Sequence, residues 1–403
     1  MIERNIYLNK LIKSKDNGLI KLISGVKGCG KTFLIQEIYH NYLISLGIDE
    51  NHILYYSFEN TKVKNIDEFF KNMQDKILDN NKYYVFLDDL SLSDDIIDPI
   101  NNFTATNNID LYIIGNCVNT FNIDIDKYIK INVYPLSFSE FYGCCEKERL
   151  DAFEEYKLYG GFPNVVLNDS KEEKINALTS LTKINTDYIL QNNQIKSKED
   201  LYKILNLLSI SVGTLTNSEK IKSIFKFLKK SKITSKTIIK YLDYIEENCV
   251  VESIKRLDIK KRKYLDTPKK YYFSDIGIRN TLINHRELDI LSYIENIVYL
   301  ELRVRDYMVS TGFVEIVEKN NLDKMARNQL RVDFICMQEQ TKYYIQIVKS
   351  VNDAFDEKRA LLKIPDCFKK ILVTYDEIDT HYDENGILIV NYIEFLLNPD
   401  LMK

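Results

Sequence analysis

Five short apolar runs punctuate the first third of the chain, at residues 19–24, 53–58, 83–89, 111–114 and 128–133. Between them the apolar positions fall as on one face of a helix, most clearly at Leu34, Ile35, Ile38 and Leu43. Short apolar runs alternating with helical stretches predict successive βα units and a buried parallel sheet. Farther along, helical patterns at 201–208, 218–230 and 235–248 precede strand-like runs at 250–254 and 270–273. Ser218 and Ser235 stand where the second and third of these helices call for caps. Three helices and a β-ribbon give the outline of a winged helix. From about residue 290 the pattern becomes a helix (293–307), strands carrying Asp333 and Gln346, a helix (356–362) and strands at 370–374 and 386–390.

The first run leads into G-V-K-G-C-G-K-T: Gly25, Val26, Lys27, Gly28, Cys29, Gly30, Lys31 and Thr32, with Phe33 opening the helical stretch. Strand, glycine loop and helix together make this spacing a phosphate cradle. The glycines let backbone N–H groups turn inward, and the helix N-terminus favours an anion. Lys31 would reach the β- and γ-phosphates of ATP, and Thr32 would set its hydroxyl on Mg²⁺. The run at 83–89 ends in Asp88 and Asp89. A parallel strand delivering a carboxylate at its C-terminal edge suits Asp88 to the metal side. Asp89 stands where many ATPases carry a Glu that polarises water, but it is one methylene shorter. Its other reading is a solvated acid at a strand end. Asn116 is either a γ-phosphate sensor or a loop residue.

With 403 residues, the chain exceeds one ordinary core. Thirteen Gly and six Pro leave little linker, so abutting domains are expected. Seven scattered Cys without a C-x-x-C pair, and four His, fit reduced thiols better than disulfides or zinc. No run approaches the roughly 18 apolar residues of a membrane span, and no secretory signal stands at the start, so a cytoplasmic protein with no membrane partner is expected. The net charge of −4 hides an asymmetry: residues 219–270 hold sixteen Lys and Arg against seven acids. If the winged-helix outline holds, Ser235, Lys236, Thr237 and Lys240 begin the helix that would enter a major groove. The turn Lys260, Lys261, Arg262 and Lys263 would then lie over phosphate, making double-stranded DNA a candidate partner. The alternative is a solvated turn or one that packs domains.

Several segments, spread nearly end to end, resemble a bacterial and archaeal family of AAA-type ATP-binding proteins with a C-terminal nuclease-like domain. They are the phosphate loop, Y-V-F-L-D-D, V-Y-P-L-S-F-S-E-F (133–141), Y-G-G-F-P (159–163), K-Y-Y-F-S-D-I-G-I-R-N (270–280), I-E-N-I-V-Y-L-E-L (294–302), R-V-D-F-I (331–335) and Y-Y-I-Q-I (343–347). The resemblance implies an α/β fold. An AAA-type P-loop sheet (1–145) would be followed by a helical lid or linker (146–200), a winged-helix-like domain (201–285) and a restriction-nuclease-like α/β domain (286–403). The chain departs from the family at Lys27 and Gly28, where two Arg are usual, at Asp89, where Glu is usual, and at Asp126-Lys127 in place of Gly-Arg. These departures point to ATP binding with slow hydrolysis. Few Arg in the first part suit a finger reaching a neighbouring site, so a monomer or small homo-oligomer is expected.

Glu295 on a helix, Asp333 on a strand and Gln346 on the next follow the order of PD-(D/E)XK nucleases, whose acids hold Mg²⁺. Here Val348 occupies the Lys position, and Lys349 comes one residue late. That shift turns it to the other face of a strand. A degenerate, non-catalytic site is the expectation, and an ATP-gated nuclease the alternative. Glu295 also reads as a helix-surface acid and Asp333 as a partner of Arg331 or Arg327. A third reading makes the chain a signalling or scaffold ATPase whose basic segment docks protein.

Overall fold

The computed structural model describes residues 2–58, 66–90, 97–105, 108–115, 127–193, 195–227, 233–286, 289–319 and 325–402. The chain divides into two compact units, residues 1–135 with 247–249, and residues 136–246 with 250–403.

In the first unit a helix, Asn5–Ser14, precedes the strands β1 (Ile20–Ser24), β2 (Ile53–Ser57), β3 (Tyr83–Asp88), β4 (Ile109–Gly115) and β5 (Tyr128–Asn132). Their order is β2-β3-β4-β1-β5. Every neighbouring pair is parallel. Every residue of β3 and β4 is buried, which is the unbroken pattern expected of strands covered on both faces. Leu22, Val85, Leu87, Leu111 and Ile113 form a core with Phe70, Met73 and Phe103 from the helices Ile66–Gln74 and Ile97–Thr104. Lys21 sits in mid-strand at 0% exposure, which requires a charged partner. Asp110 on the neighbouring strand supplies it, and Tyr112 donates to the same carboxylate at 2.7 Å. Because all five strands run one way, β1 and β3 both end at the same edge, where the loop after β1 begins.

The second unit is built on one mixed sheet of eight strands: β6 (Val251–Asp258), β7 (Lys263–Phe273), β8 (Met308–Lys319), β9 (Met325–Gln338), β10 (Thr341–Val348), β11 (Lys369–Thr374), β12 (His381–Tyr382) and β13 (Leu388–Asn391). Its order is β12-β13-β11-β10-β9-β8-β6-β7. The expected ribbon is present as β6 and β7, but it does not stand apart as the wing of a separate 201–285 domain. Its inner strand pairs in parallel with β8 through Arg256↔Thr311, Leu257↔Gly312 and Asp258↔Phe313. The physical reason lies in burial. Leu257 and Ile259 belong to the same apolar cluster as Val314, Val332, Ile335 and Leu372, and that face leaves water only by joining the sheet. The expected helices appear as Lys198–Ile210, Ser218–Phe227, Ser235–Glu247 and Ile290–Val304. The side chains of Asn217 and Thr234, rather than Ser218 and Ser235, accept from the first-turn N–H groups of Lys220 and Thr237. No described helix is long and apolar enough to cross a membrane.

Asp275 joins two chain turns in this unit. Its carboxylate caps the helix Ile276–Leu282 by accepting from the Gly277 and Ile278 N–H groups at 2.7 and 3.2 Å. It also accepts from Gly161 N–H at 2.8 Å. Gly161 admits no side chain, because a Cβ there would lie 2.1 Å from the Leu136 carbonyl oxygen.

Candidate functional site

Gly28 and Gly30 take φ of 94° and 96°, a region that side chains disfavour and glycine enters freely. A Cβ at Gly25 would lie 2.1 Å from the Val133 carbonyl oxygen, so the loop passes too close to the end of β5 for any larger residue. Lys31 follows at the start of the helix and is buried. Its ammonium donates to the Gly25 and Val26 carbonyls at 2.8 and 3.2 Å, which folds it back under the loop. The helix continues through a π-helical stretch, Leu34–Tyr39, into His40–Ser45.

At the end of β3, Asp88 receives two hydroxyls on one oxygen. Thr32 Oγ1 donates to Asp88 Oδ2 at 2.9 Å, and the Tyr55 hydroxyl donates to the same Oδ2. Burial, and then the bond to Asp88, push the Tyr55 phenol above its ordinary range, which keeps it a donor. Asp89 takes the left-handed conformation at φ 57° and places its Oδ2 3.5 Å from the Lys27 ammonium. A cavity of about 320 Å³ is lined by Lys27, Gly28, Gly30, Lys31, Thr32, Phe33, Ser57, Asp88 and Asp89. The loop residues and both acids named from the sequence thus come together, with Val26 and Cys29 forming the buried back of the loop. Asn116 lies outside the described residues.

The donor set suits a triphosphate and a hard cation. Two positive-φ glycines and a helix start form a concave anion site, and a hydroxyl next to a carboxylate suits Mg²⁺. Among the described residues no three His, Cys, Asp or Glu side chains cluster as a metal cage. An ion at Asp88 and Thr32 would therefore complete its shell with phosphate oxygens and water, as Mg²⁺ commonly does.

Two participants escaped the sequence reading. Tyr55 was visible only as one aromatic in a strand. Arg4, from the turn before the first helix, is 2% exposed. It donates to the Cys29 carbonyl at 3.1 Å and to the Tyr134 carbonyl at 2.6 Å. It thereby ties the floor of the loop to the segment after β5. No local spacing announces such a residue.

In the second unit, Lys236, Lys240 and the turn Lys260 to Lys263 are exposed, whereas Ser235 and Thr237 are half-buried. Lys260 donates to the Glu315 carbonyl at 2.6 Å, and Lys261 lies 3.2 Å from Asp258. Glu295 and Asp333 are brought together, but around a cation that the sequence reading had not placed there. The Lys270 ammonium, on β7, lies 2.8 Å from Glu295 Oε1 and 3.3 Å from Asp333 Oδ1. The Tyr272 hydroxyl donates to Glu295 at 2.7 Å, and Arg331 lies 3.3 Å from Asp333. Gln346 is spent on backbone, accepting from Asp333 N–H at 2.7 Å and donating to the Arg331 carbonyl at 2.8 Å. Lys349 is exposed beyond the end of β10. Burial holds the Glu295 carboxyl above the usual carboxylate range, with Lys270 pulling it back down.

Residues 17–142 match a family model described as an AAA domain, and residues 150–289 match one described as a domain of unknown function, DUF8612. An uncharacterized protein of Haemophilus influenzae is 30% identical over 416 residues, covering 98% of this chain and 99% of that protein. Among solved structures, the chain is similar to the Aeropyrum pernix ORC1 protein in complex with DNA, at 13% identity over 70% of this chain and 93% of that one, with a TM-score of 0.32. The Aeropyrum pernix ORC2 protein in its ADP form matches at 10% identity over 69% and 91%, with a TM-score of 0.34. Caenorhabditis elegans PCH-2 matches at 15% over 60% and 66%, with a TM-score of 0.27.

Proposed function

This chain belongs to one family with the Haemophilus influenzae protein, and from that premise we propose that it binds Mg²⁺-ATP, hydrolyses it slowly, and uses nucleotide state to position its second unit on duplex DNA. Its residues 17–142 are an AAA-type P-loop domain. The observation that carries the nucleotide reading is the meeting of Thr32 and Asp88 at 2.9 Å on the wall of the glycine-loop cavity. Gly28, Gly30 and Lys31 would hold the phosphates, with Thr32 and Asp88 on the metal side. Bound Mg²⁺ would neutralise charge on the phosphate oxygens. Slow turnover is supported by Asp89, whose short side chain is engaged with Lys27. Calorimetry with ATP and MgCl₂ tests the reading. Binding is expected for the wild type and a loss of roughly tenfold or more for Lys31→Ala, the worth of one charge-assisted contact. No heat with well-folded wild type overturns it.

The exposure of the turn Lys260 to Lys263 and of Lys236 and Lys240 supports a role for these cations outside the packing of their own unit, and their clustered positive charge is the basis for reading duplex DNA as the partner. Replacing the four turn cations by Gln is expected to flatten the slope of log affinity against log salt by up to about 3.6. An unchanged slope removes the turn from the interface. The acid pair supports a nuclease-like but non-catalytic module. Its two carboxylates are already compensated by Lys270 and Arg331, and no plasmid cleavage is expected with Mg²⁺ or Mn²⁺ and ATP.

A further inference from the structure

Tyr55 lies on β2 opposite Phe86 of β3, in the register that also sets Ser57 opposite Asp88. Tyr55 and Asp88 are therefore diagonal neighbours, a spacing that a tyrosine side chain spans. Its hydroxyl and that of Thr32 converge on Oδ2 of Asp88. Thr32 comes from the phosphate loop and would share its oxygen with a bound cation. Tyr55 is fixed in the sheet, and it holds the carboxylate in place whatever Thr32 does.

We propose that Tyr55 is a positioning residue for the metal: by donating to Asp88 Oδ2 it fixes that oxygen and orients Oδ1, so that Mg²⁺ enters a pre-set carboxylate and strengthens nucleotide binding. This rests on the reading of the loop as a Mg²⁺-ATP site. Two donors on one oxygen set the rotation of the carboxylate about its Cβ–Cγ bond. With Thr32 alone, the group regains that rotation, and some of the free energy of metal entry goes into stopping it. The loss appears only when the metal is present, because Asp88 has no attraction for the phosphates themselves.

The test is calorimetric titration of ATP into the full-length protein, once in EDTA and once in excess MgCl₂. The ratio of the two affinities measures how far Mg²⁺ assists the nucleotide. Tyr55→Phe removes one hydroxyl and is expected to reduce that ratio about tenfold, the worth of one hydrogen bond to a charged acceptor, while the affinity in EDTA stays within twofold. Tyr56→Phe is the control. Its buried hydroxyl has no hydrogen-bond partner among the described residues and does not reach Asp88, so the wild-type ratio is expected to remain. A wild-type ratio in Tyr55→Phe overturns the inference, as does an equal fall in both affinities, which marks a merely structural role. If wild type binds ATP with no help from Mg²⁺, the inference falls and the nucleotide reading stands. If wild type binds no ATP at all, both fall.

Discussion

Replacing Lys270 by Met separates the two carboxylates from the cation between them. The Lys270 side chain is 1% exposed, and those of Glu295 and Asp333 are 15% and 3% exposed. Asp333 keeps Arg331 at 3.3 Å, so the damage falls on Glu295, whose remaining hydrogen-bond donor among the described residues is the Tyr272 hydroxyl. Removing one member of a buried pair costs about 3–5 kcal/mol when the remaining charge has no escape. Glu295 does have one, which is protonation. Its carboxyl is already raised by burial, and losing Lys270 removes the largest influence that lowers it. A carboxyl raised in the folded state adds stability that is full below its unfolded value near 4.5 and is lost as pH rises through the folded value. The variant's folded value is the higher of the two, so its deficit grows with pH. The deficit is expected to be about 3 kcal/mol at pH 8 and to shrink towards about 1 kcal/mol near pH 5. Urea unfolding of both proteins at several pH values reads this directly. Adding Glu295→Gln to the variant is expected to restore most of the loss. A deficit under about 1 kcal/mol at pH 8, or one that ignores pH, refutes the account of Lys270 as the internal counterion.

Arg4→Met removes two hydrogen bonds from a buried guanidinium to the Cys29 and Tyr134 carbonyls. An expected loss of about 3 kcal/mol in urea unfolding follows, with weaker ATP binding, and a loss below about 1 kcal/mol would show that the clamp carries little. The Asp275 carboxyl is wholly buried and pushed up to about 6 by that burial, against the Gly161, Ile278 and Gly277 N–H groups that lower it. It therefore adds stability that is full below about pH 4 and lost as pH rises through 6, roughly 3 kcal/mol in all. Asp275→Asn is expected to flatten stability against pH over that window, and curves for wild type and variant that run parallel from pH 4 to 7 contradict it.

The parallel sheet and the phosphate loop were readable because their signals are local. A strand buried on both faces is a run of apolar residues, and a phosphate cradle is a fixed spacing of glycines before a helix. Lys31, Thr32 and Asp88 follow from that spacing and from the end of one strand. Arg4, Tyr55 and Lys270 do not, because each is defined by partners far along the chain. Arg4 meets residues 25 and 130 positions away, Tyr55 one 33 positions away, and Lys270 one 63 positions away. The helical and strand-like patterns between residues 198 and 273 gave the order of elements but were silent on pairing. Nothing in the sequence of β6 says that its neighbour is β8, since register emerges from the shared apolar face. The helix caps moved by one residue because Asn217 and Thr234 compete for the same orphan N–H groups as the serines after them.

The junction at Asp275 also orders events during synthesis. Gly161 leaves the ribosome 114 residues before the carboxylate that takes its N–H. At about 5–20 residues per second, that turn waits roughly 6 to 23 seconds for its partner. The five strands of the phosphate-loop sheet have all emerged by residue 132. The nascent chain is thus expected to hold the five strands around the glycine loop while the helices after them still lack the carboxylate that anchors their turn.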